Sequence, residues 1–304
     1  MDMLSIIIPV YNSQNNLESL VKQIQEKIKI EYEIILINDE SIDNSWEIIK
    51  KISFSEKNIL GINLLKNVGQ DNAIMAGLYH ANGSYVIIMD DDLQHDPNYI
   101  MDLYKKSKEN YDVVYGNFIS KKQKIWKNFG SWLNGKFAYI FLKKPKEIYI
   151  SPFKIIKKNI VMQILNYKSP FTYIDGIIFS LTTNISQIEI HHHSRKEGKS
   201  NYSISNSLPI FINHLTGYSI IPLRVVSFLG LILFFMSIII SIVAVINYFN
   251  NIEPEGWTSI MIALLLIGGL IMFSLGIIGE YLGRLYLLSS NKPQYVVKEK
   301  IKKQ

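Results

Sequence analysis

The sequence predicts an α/β domain with a mostly parallel sheet, followed by amphipathic interface helices and two transmembrane helices. Three observations predict it. Over roughly the first 200 residues, short runs rich in Ile and Val alternate with segments of helical periodicity. From Val225 to Ile278 there is no Lys or Arg. Within that stretch, Val225–Ile246 and Thr258–Ile278 are charge-free. Each is about twenty residues long, enough for a helix to span ~30 Å of hydrocarbon.

Taken in order, Leu4–Val10, Glu33–Asn38, Ile59–Leu65 and Tyr85–Asp90 read as strands, apolar enough to be buried on both faces. Leu17–Ile30, Ser45–Ile52 and Asp71–His80 lie between them with apolar residues at helical spacing. Strand and helix in alternation give a sheet with right-handed crossovers. Ligands of such sheets sit beyond the carboxyl ends of the strands. The residues there are Tyr11-Asn12-Ser13, Asn38-Asp39-Glu40-Ser41, Lys66-Asn67 and Asp90-Asp91-Asp92, all polar.

The segment 203–224 mixes apolar and polar residues with Pro209 and Pro222 and reads as helices on a membrane surface. Residues 1–202 are then the sheet domain, and 225–304 a two-span anchor with a tail. Arg224, Arg284, Lys292 and Lys298 flank the spans, while the link between them holds Glu253 and Glu255 and no Lys or Arg. The positive-inside rule puts both termini in the cytoplasm and the link outside. The N-terminus lacks a basic stretch followed by a long apolar one, so no signal peptide is expected. The 304 residues carry no Cys, which excludes disulfides and thiolate metal sites. The net charge of +6 is spread out, without a nucleic-acid-binding module. His191-His192-His193 alternate on a strand and lack a clear third ligand, so zinc is not expected there.

Asp90-Asp91-Asp92 follow a fully apolar run. If the strand continues through them, Asp90 and Asp92 share a face. Two carboxylates so placed suit Mg²⁺ or Mn²⁺, with diphosphate oxygens and water completing the shell. A solvated acidic loop is the competing reading; the position directly after an apolar strand favours the site.

"SIIIPVYNS", "LINDESIDNS", "NVGQDNAIMAGL" and "IMDDDLQHDP" stand in an order that resembles glycosyltransferase family two, with its GT-A (Rossmann-like) fold. With "RKEGKSNYS", "PLR" and "GEYLGRLY", the chain resembles the polyprenyl-phosphate branch of that family. The resemblance implies a nucleotide-sugar donor and a polyprenyl (undecaprenyl) phosphate acceptor at a bacterial inner membrane. It places Pro9, Tyr11, Asn38 and Asp39 at the base and ribose, and Asp90, Asp92 and Gln94 at the metal and diphosphate, with Asp91 counted among the donor-binding residues. Asp71 falls at the nucleotide or sugar, Arg195 and Ser200 in a loop over the donor, and Lys121, Lys122 and Lys127 at the acceptor phosphate.

Three positions depart from the family pattern. Ser13 stands where many members have Glu, and Asn38 where many have Asp. "SPFK" puts Pro152 where several members carry an Asp proposed as catalytic base. A phosphate monoester has a second pKa of about 6 and is mostly dianionic at neutral pH, so its attack needs no base. Asp175 is the candidate acidic residue near the sugar. The expected reaction is inverting sugar transfer to the lipid phosphate. An inactive homologue acting as a membrane scaffold, or a transferase with another lipid or glycan acceptor, is the alternative. Gly279 and Gly283 on one face of the second span would permit association between copies.

Overall fold

The computed structural model describes residues 2–118, 148–169, 172–190, 221–250, 256–290 and 292–303. The chain forms two compact units, one of 1–202 with 291–304 and one of 203–290.

Among the described residues the first unit holds eight strands: β1 (Leu4–Val10), β2 (Tyr32–Asn38), β3 (Ile59–Leu64), β4 (Tyr85–Ile88), β5 (Val113–Phe118), β6 (Lys154–Lys157), β7 (Ile185–Ile190) and β8 (Val297–Ile301). They make one sheet in the order β7-β5-β6-β4-β1-β2-β3-β8. The centre, β3-β2-β1-β4, is parallel. β6 runs against β4 and β5, and β8 against β3. This is the GT-A, Rossmann-like arrangement. Helices α1 (Leu17–Lys27), α2 (Ser45–Ser55) and α3 (Gln70–His80) form the crossovers between β1 and β4. α4 (Ile100–Ser107), α5 (Lys158–Ile164) and α6 (Ile174–Leu181) follow. Ile6, Ile8, Ile34, Leu36 and Ile87 are fully buried beside Leu17, Leu20 and Ile24 of α1, which is why these strands carry no polar alternation.

A proline in a central strand normally removes a ladder hydrogen bond. Pro9 in β1 does not. The Ile7 carbonyl faces β4, accepting the Met89 N–H (3.2 Å), and the Val10 carbonyl faces β2, accepting the Asp39 N–H (2.9 Å). Pro9 has the parity of Ile7, so its missing N–H lies on the β4 side, where pairing has already stopped at Ile88. The proline marks the end of the ladder and the start of the site loops.

Gly83 shows how tightly β4 enters. A Cβ there would lie 2.6 Å from the Ser5 nitrogen and 2.7 Å from the Met3 oxygen, both backbone atoms. Backbone in a sheet yields poorly to overpacking, which costs about 1–3 kcal/mol or more. Gly83→Ala is expected to lower the melting temperature of the detergent-solubilised protein by roughly 5 °C or more, read by intrinsic fluorescence.

The tail grouped with the anchor in the sequence reading rejoins the sheet as β8. Gly61 faces Ile301, and Ile62 faces Lys300. Ile301 is buried, the Trp46 indole N–H donates to Glu299 (3.3 Å), and Lys303 Nζ donates to the Ser55 carbonyl (2.7 Å). Gln294 Nε2 lies within hydrogen-bond reach of the carbonyls of Tyr167 (3.1 Å) and Ser169 (2.8 Å).

The second unit consists, among the described residues, of two long helices, α7 (Ile221–Phe249) and α8 (Trp257–Ser289). Their 29 and 33 residues contain both apolar runs. At 1.5 Å per residue they extend ~44 and ~50 Å, more than a hydrocarbon core is thick. Phe228, Phe235, Ile239, Met272 and Phe273 are exposed on them. One segment among the described residues, Ile267–Ser289, is long and apolar enough to cross a membrane. A Cβ at Gly279 or Gly283 would meet no atom within 4 Å among the described residues. Of the interface segment 203–224, only the start of α7 lies within the described residues.

Candidate active site

The loops leaving β1, β2, β3 and β4 are bound to one another. Asn12 donates its N–H to Ser41 Oγ (3.0 Å), and its Oδ1 accepts the Ile42 N–H (2.9 Å). Ser13 and Gln14 donate their N–H groups to Ser45 Oγ (2.9 Å) and Asp43 Oδ2 (3.1 Å). Asp39 accepts the N–H groups of Val68 (2.8 Å) and Gly69 (2.9 Å), and Glu40 accepts that of Asn67 (2.7 Å). Burial pushes the Asp39 carboxyl up, and these N–H groups oppose that.

Asn12 (φ 54°), Glu40 (φ 54°) and Leu93 (φ 60°) adopt left-handed backbone in these loops. For a leucine this conformation is a genuine outlier. Strain of about 1–3 kcal/mol persists where surrounding structure enforces it, and it gathers at functional sites.

β4 ends at Ile88, two residues short of the Asp90 boundary expected from sequence. Strand alternation therefore does not set the directions of Asp90, Asp91 and Asp92. Hydrogen bonds set them, because the backbone groups beyond the ladder need partners. Asp90 donates its N–H to His95 Nδ1 (3.0 Å), and its Oδ1 accepts from Gln70 Nε2 (2.7 Å). Asp91 turns back to accept the Tyr11 N–H (3.2 Å), tying the β4 loop to the β1 loop. Burial pushes its carboxyl up to about 6, against hydrogen bonds from Ser13 and Tyr11. Asp92 Oδ1 accepts the Gln94 N–H (3.1 Å). His95 is buried and stacked between Phe118 (5.5 Å) and Phe153 (5.2 Å).

A second group of charges lies by the first turn of α3. Asp71 accepts the Ile174 N–H at the start of α6. Asp175 Oδ1 accepts from the Tyr115 hydroxyl (2.7 Å) and is ion-paired with Lys154 Nζ. Lys154 lies 5.2 Å from the Tyr115 ring centre. Burial first, and the Asp175 charge second, push the Asp71 carboxyl up to about 6; Lys154 opposes them. Burial, then Asp175, also push Tyr115 and Tyr173 up. An Asp that titrates near 3.8 unfolded and near 6 folded keeps a proton in the folded state that the unfolded chain has lost. Its effect is therefore a loss of stability as pH rises from about 4 to 6. Asp71→Asn is expected to raise the melting temperature more at pH 7 than at pH 4.5, relative to the parent, in a paired thermal-unfolding series.

Tyr11 stands 51% exposed and can offer its ring, whereas Asn38 is 2% exposed and donates through Nδ2 to Asn63 Oδ1 (2.8 Å). Pro9 is buried as well. Arg195, Ser200, Lys121, Lys122, Lys127 and the run His191–His193 lie outside the described residues. Gln70, His95, Tyr115 and Lys154 were given no role from sequence. The signal for His95 was present in "DDDLQHDP": once the ladder stops, the Asp90 N–H needs an acceptor.

For a metal, Asp90 and Asp92 supply hard carboxylate oxygens, the ligand type that Mg²⁺ and Mn²⁺ take alongside phosphate and water. No group of three or more His, Cys, Asp or Glu suited to a metal occurs among the described residues. The donor set fits such a cation.

These loops and this sheet match known proteins. The glycosyl transferase family 2 profile matches residues 5–165, and the chain belongs to that family. A second match, to the GtrB C-terminal hairpin, covers residues 221–285. That hairpin is a feature of polyprenyl-phosphate glycosyltransferases. An uncharacterized glycosyltransferase of Synechocystis is 30% identical over 305 residues, covering 97% of this chain and 95% of that protein. CsbB of Bacillus subtilis, named as a glycosyltransferase, is 29% identical over 305 residues, covering 98% and 92%. The fold is similar to that of glucosyl-3-phosphoglycerate synthase from Mycobacterium tuberculosis in complex with phosphoglyceric acid. The TM-score is 0.52 at 13% identity, over 71% of this chain and 80% of that one.

Proposed function

We propose that this glycosyltransferase moves a sugar, with inversion, from a nucleotide sugar to a polyprenyl phosphate at the cytoplasmic face of a bacterial membrane. The observation that carries this reading is the union in one chain of the acidic corner beyond β4 with a GtrB-type hairpin of two long apolar helices.

Connectivity supports the topology. The chain leaves the sheet after β7 and re-enters it at β8. A sheet lies on one side of a membrane, so the chain between must cross an even number of times. If Ile267–Ser289 crosses, a second crossing is required, and α7 is the other long apolar helix among the described residues. Both termini then lie on the side of the sheet.

The base and ribose would lie against Tyr11 and the loop held by Asp39, above the buried Asn38 and Pro9. The diphosphate would face Asp90, Asp92 and Gln94, with Gln70 holding the Asp90 carboxylate, His95 its backbone N–H, and Asp91 the two loops together. A divalent cation at Asp90 and Asp92 would neutralise charge on the departing diphosphate. An oxygen of the acceptor phosphate bonds to the anomeric carbon as the bond from that carbon to the diphosphate oxygen breaks. A dianionic phosphate brings no proton to remove, so Pro152 in place of an acid is tolerated, and positioning carries most of the catalysis. Lys121, Lys122 and Lys127 would hold the acceptor phosphate as point charges. Arg195 and Ser200 would cover the donor.

The test is incubation of membranes containing the protein with radiolabelled UDP-, GDP- and dTDP-sugars and undecaprenyl phosphate. Label in the lipid extract supports the reading. Nucleotide-sugar binding without lipid label points to another acceptor, and no nucleotide binding at all points to the inactive scaffold.

A further inference from the structure

Beside α3, among the described residues, stand two carboxylates, the partly exposed Asp71 and the buried Asp175, and one ammonium, the buried Lys154. We infer that Lys154 is a positioning residue for the donor sugar, its ammonium paired with Asp175 and offsetting that charge next to Asp71, so that Asp71 can accept hydrogen bonds from sugar hydroxyls. The inference rests on the reading that a nucleotide sugar lies over the carboxyl ends of β1 to β4.

Geometry places the group there. Gln70 and Asp71 are adjacent in the first turn of α3. Gln70 bonds Asp90 at the proposed diphosphate corner (2.7 Å), so Asp71 stands one residue from that corner. The sugar of a nucleotide sugar is joined directly to the diphosphate. Asp71 remains partly exposed, whereas Lys154 (4% exposed) and Asp175 (9%) are buried. Asp71 can meet a ligand, and the buried pair cannot.

Two carboxylates in electrostatic contact away from water resist joint ionisation. Among the described residues, the titratable groups facing Asp71 are these. Asp175 from α6 raises its proton affinity, Lys154 from β6 lowers it, and Tyr173 couples to it as a neutral phenol. Tyr115 from β5 hydrogen-bonds Asp175, the buried carboxylate, and Asp90 is one bonded neighbour away through Gln70. Lys154 is the cation among these groups, and it bonds Asp175 directly. Without it, Asp71 meets the Asp175 charge with nothing to offset it, and its proton affinity rises further. A protonated Asp71 loses much of its capacity as an acceptor. Lys154 is also the last residue of "SPFK", where the acid at position 152 is absent. The charged side chain of this segment acts from a buried position.

The test compares affinities of the full-length protein in detergent for UDP-glucose, UDP-N-acetylglucosamine and GDP-mannose with those for UDP and GDP. The ratio of sugar nucleotide to nucleoside diphosphate isolates the sugar's share. Lys154→Met is expected to reduce that ratio at least tenfold at pH 7, to recover part of it at pH 9, and to leave UDP or GDP affinity within twofold. Lys154→Arg is expected to stay within threefold of the parent ratio. An unchanged ratio in Lys154→Met overturns the inference, and so does a reduced ratio that pH does not move, since lost packing would not respond to pH. If Lys154→Met does not fold, Asp71→Asn takes its place: it should reduce the ratio as far at every pH, and an unchanged ratio overturns the inference. A parent that binds nucleoside diphosphates as tightly as every sugar nucleotide also overturns it. A parent that binds neither overturns the underlying reading instead.

Discussion

Asp92→Asn is expected to lower sugar transfer to polyprenyl phosphate by roughly 10³-fold, the scale seen when one group that stabilises developing transition-state charge is removed. The substitution keeps an oxygen to accept the Gln94 N–H, now 3.1 Å from Asp92 Oδ1, so the turn beyond β4 keeps its shape. What disappears is the negative charge that would hold a divalent cation against the diphosphate. The melting temperature should therefore stay within about 2 °C of the parent, as for a substitution that breaks no buried contact. Transfer measured as label in a lipid extract, with the melting curve from the same preparation, checks both halves. Full activity in a well-folded Asp92→Asn protein would remove Asp92 from the chemistry.

Truncation after Ser290 is expected to destabilise the sheet unit by roughly 5 °C or more, although the deleted residues follow both long helices. The tail supplies β8 and buries Ile301. It also brings Glu299 to Trp46, Lys303 to Ser55, and Gln294 to the carbonyls of Tyr167 and Ser169. Its loss leaves β3 with an unpaired edge, a template for association with other chains. Thermal challenge followed by limited proteolysis, scored by cleavage within 1–202, checks the prediction. A protease pattern identical to that of the full chain would mean that β8 contributes nothing to the sheet.

The parallel centre of the sheet was legible because β1 to β4 are largely buried and so appear as runs rich in Ile, Leu and Val. β5, β6 and β8 were not. VVYGNF has three apolar residues before Gly116, KIIK is four residues with a lysine at each end, and VKEKI alternates lysine and glutamate as an exposed edge strand does. A charged alternating pentapeptide after two apolar helices reads as a solvated tail, and only its partner strand makes it a strand.

The site was legible in residue types but not in their directions. "DDD" announces a carboxylate corner, yet the strand ends at Ile88, so local hydrogen bonds rather than pleat alternation aim each side chain. Asp91 illustrates the limit: one residue from two proposed metal ligands, it faces the β1 loop and holds the Tyr11 N–H. Lys154 illustrates another. Its partner Asp175 is 21 positions away, and an ion pair between β6 and α6 has no local signature.

The central claim is that the corner beyond β4 binds a divalent cation together with a nucleoside diphosphate. Mn²⁺ titration of the full-length protein, followed by electron paramagnetic resonance with and without UDP or GDP, tests it most directly. The account predicts that one of these nucleotides tightens Mn²⁺ binding to the parent at least tenfold and does nothing for the Asp90→Asn, Asp92→Asn double variant. Equal Mn²⁺ binding by parent and double variant in the presence of nucleotide would contradict it.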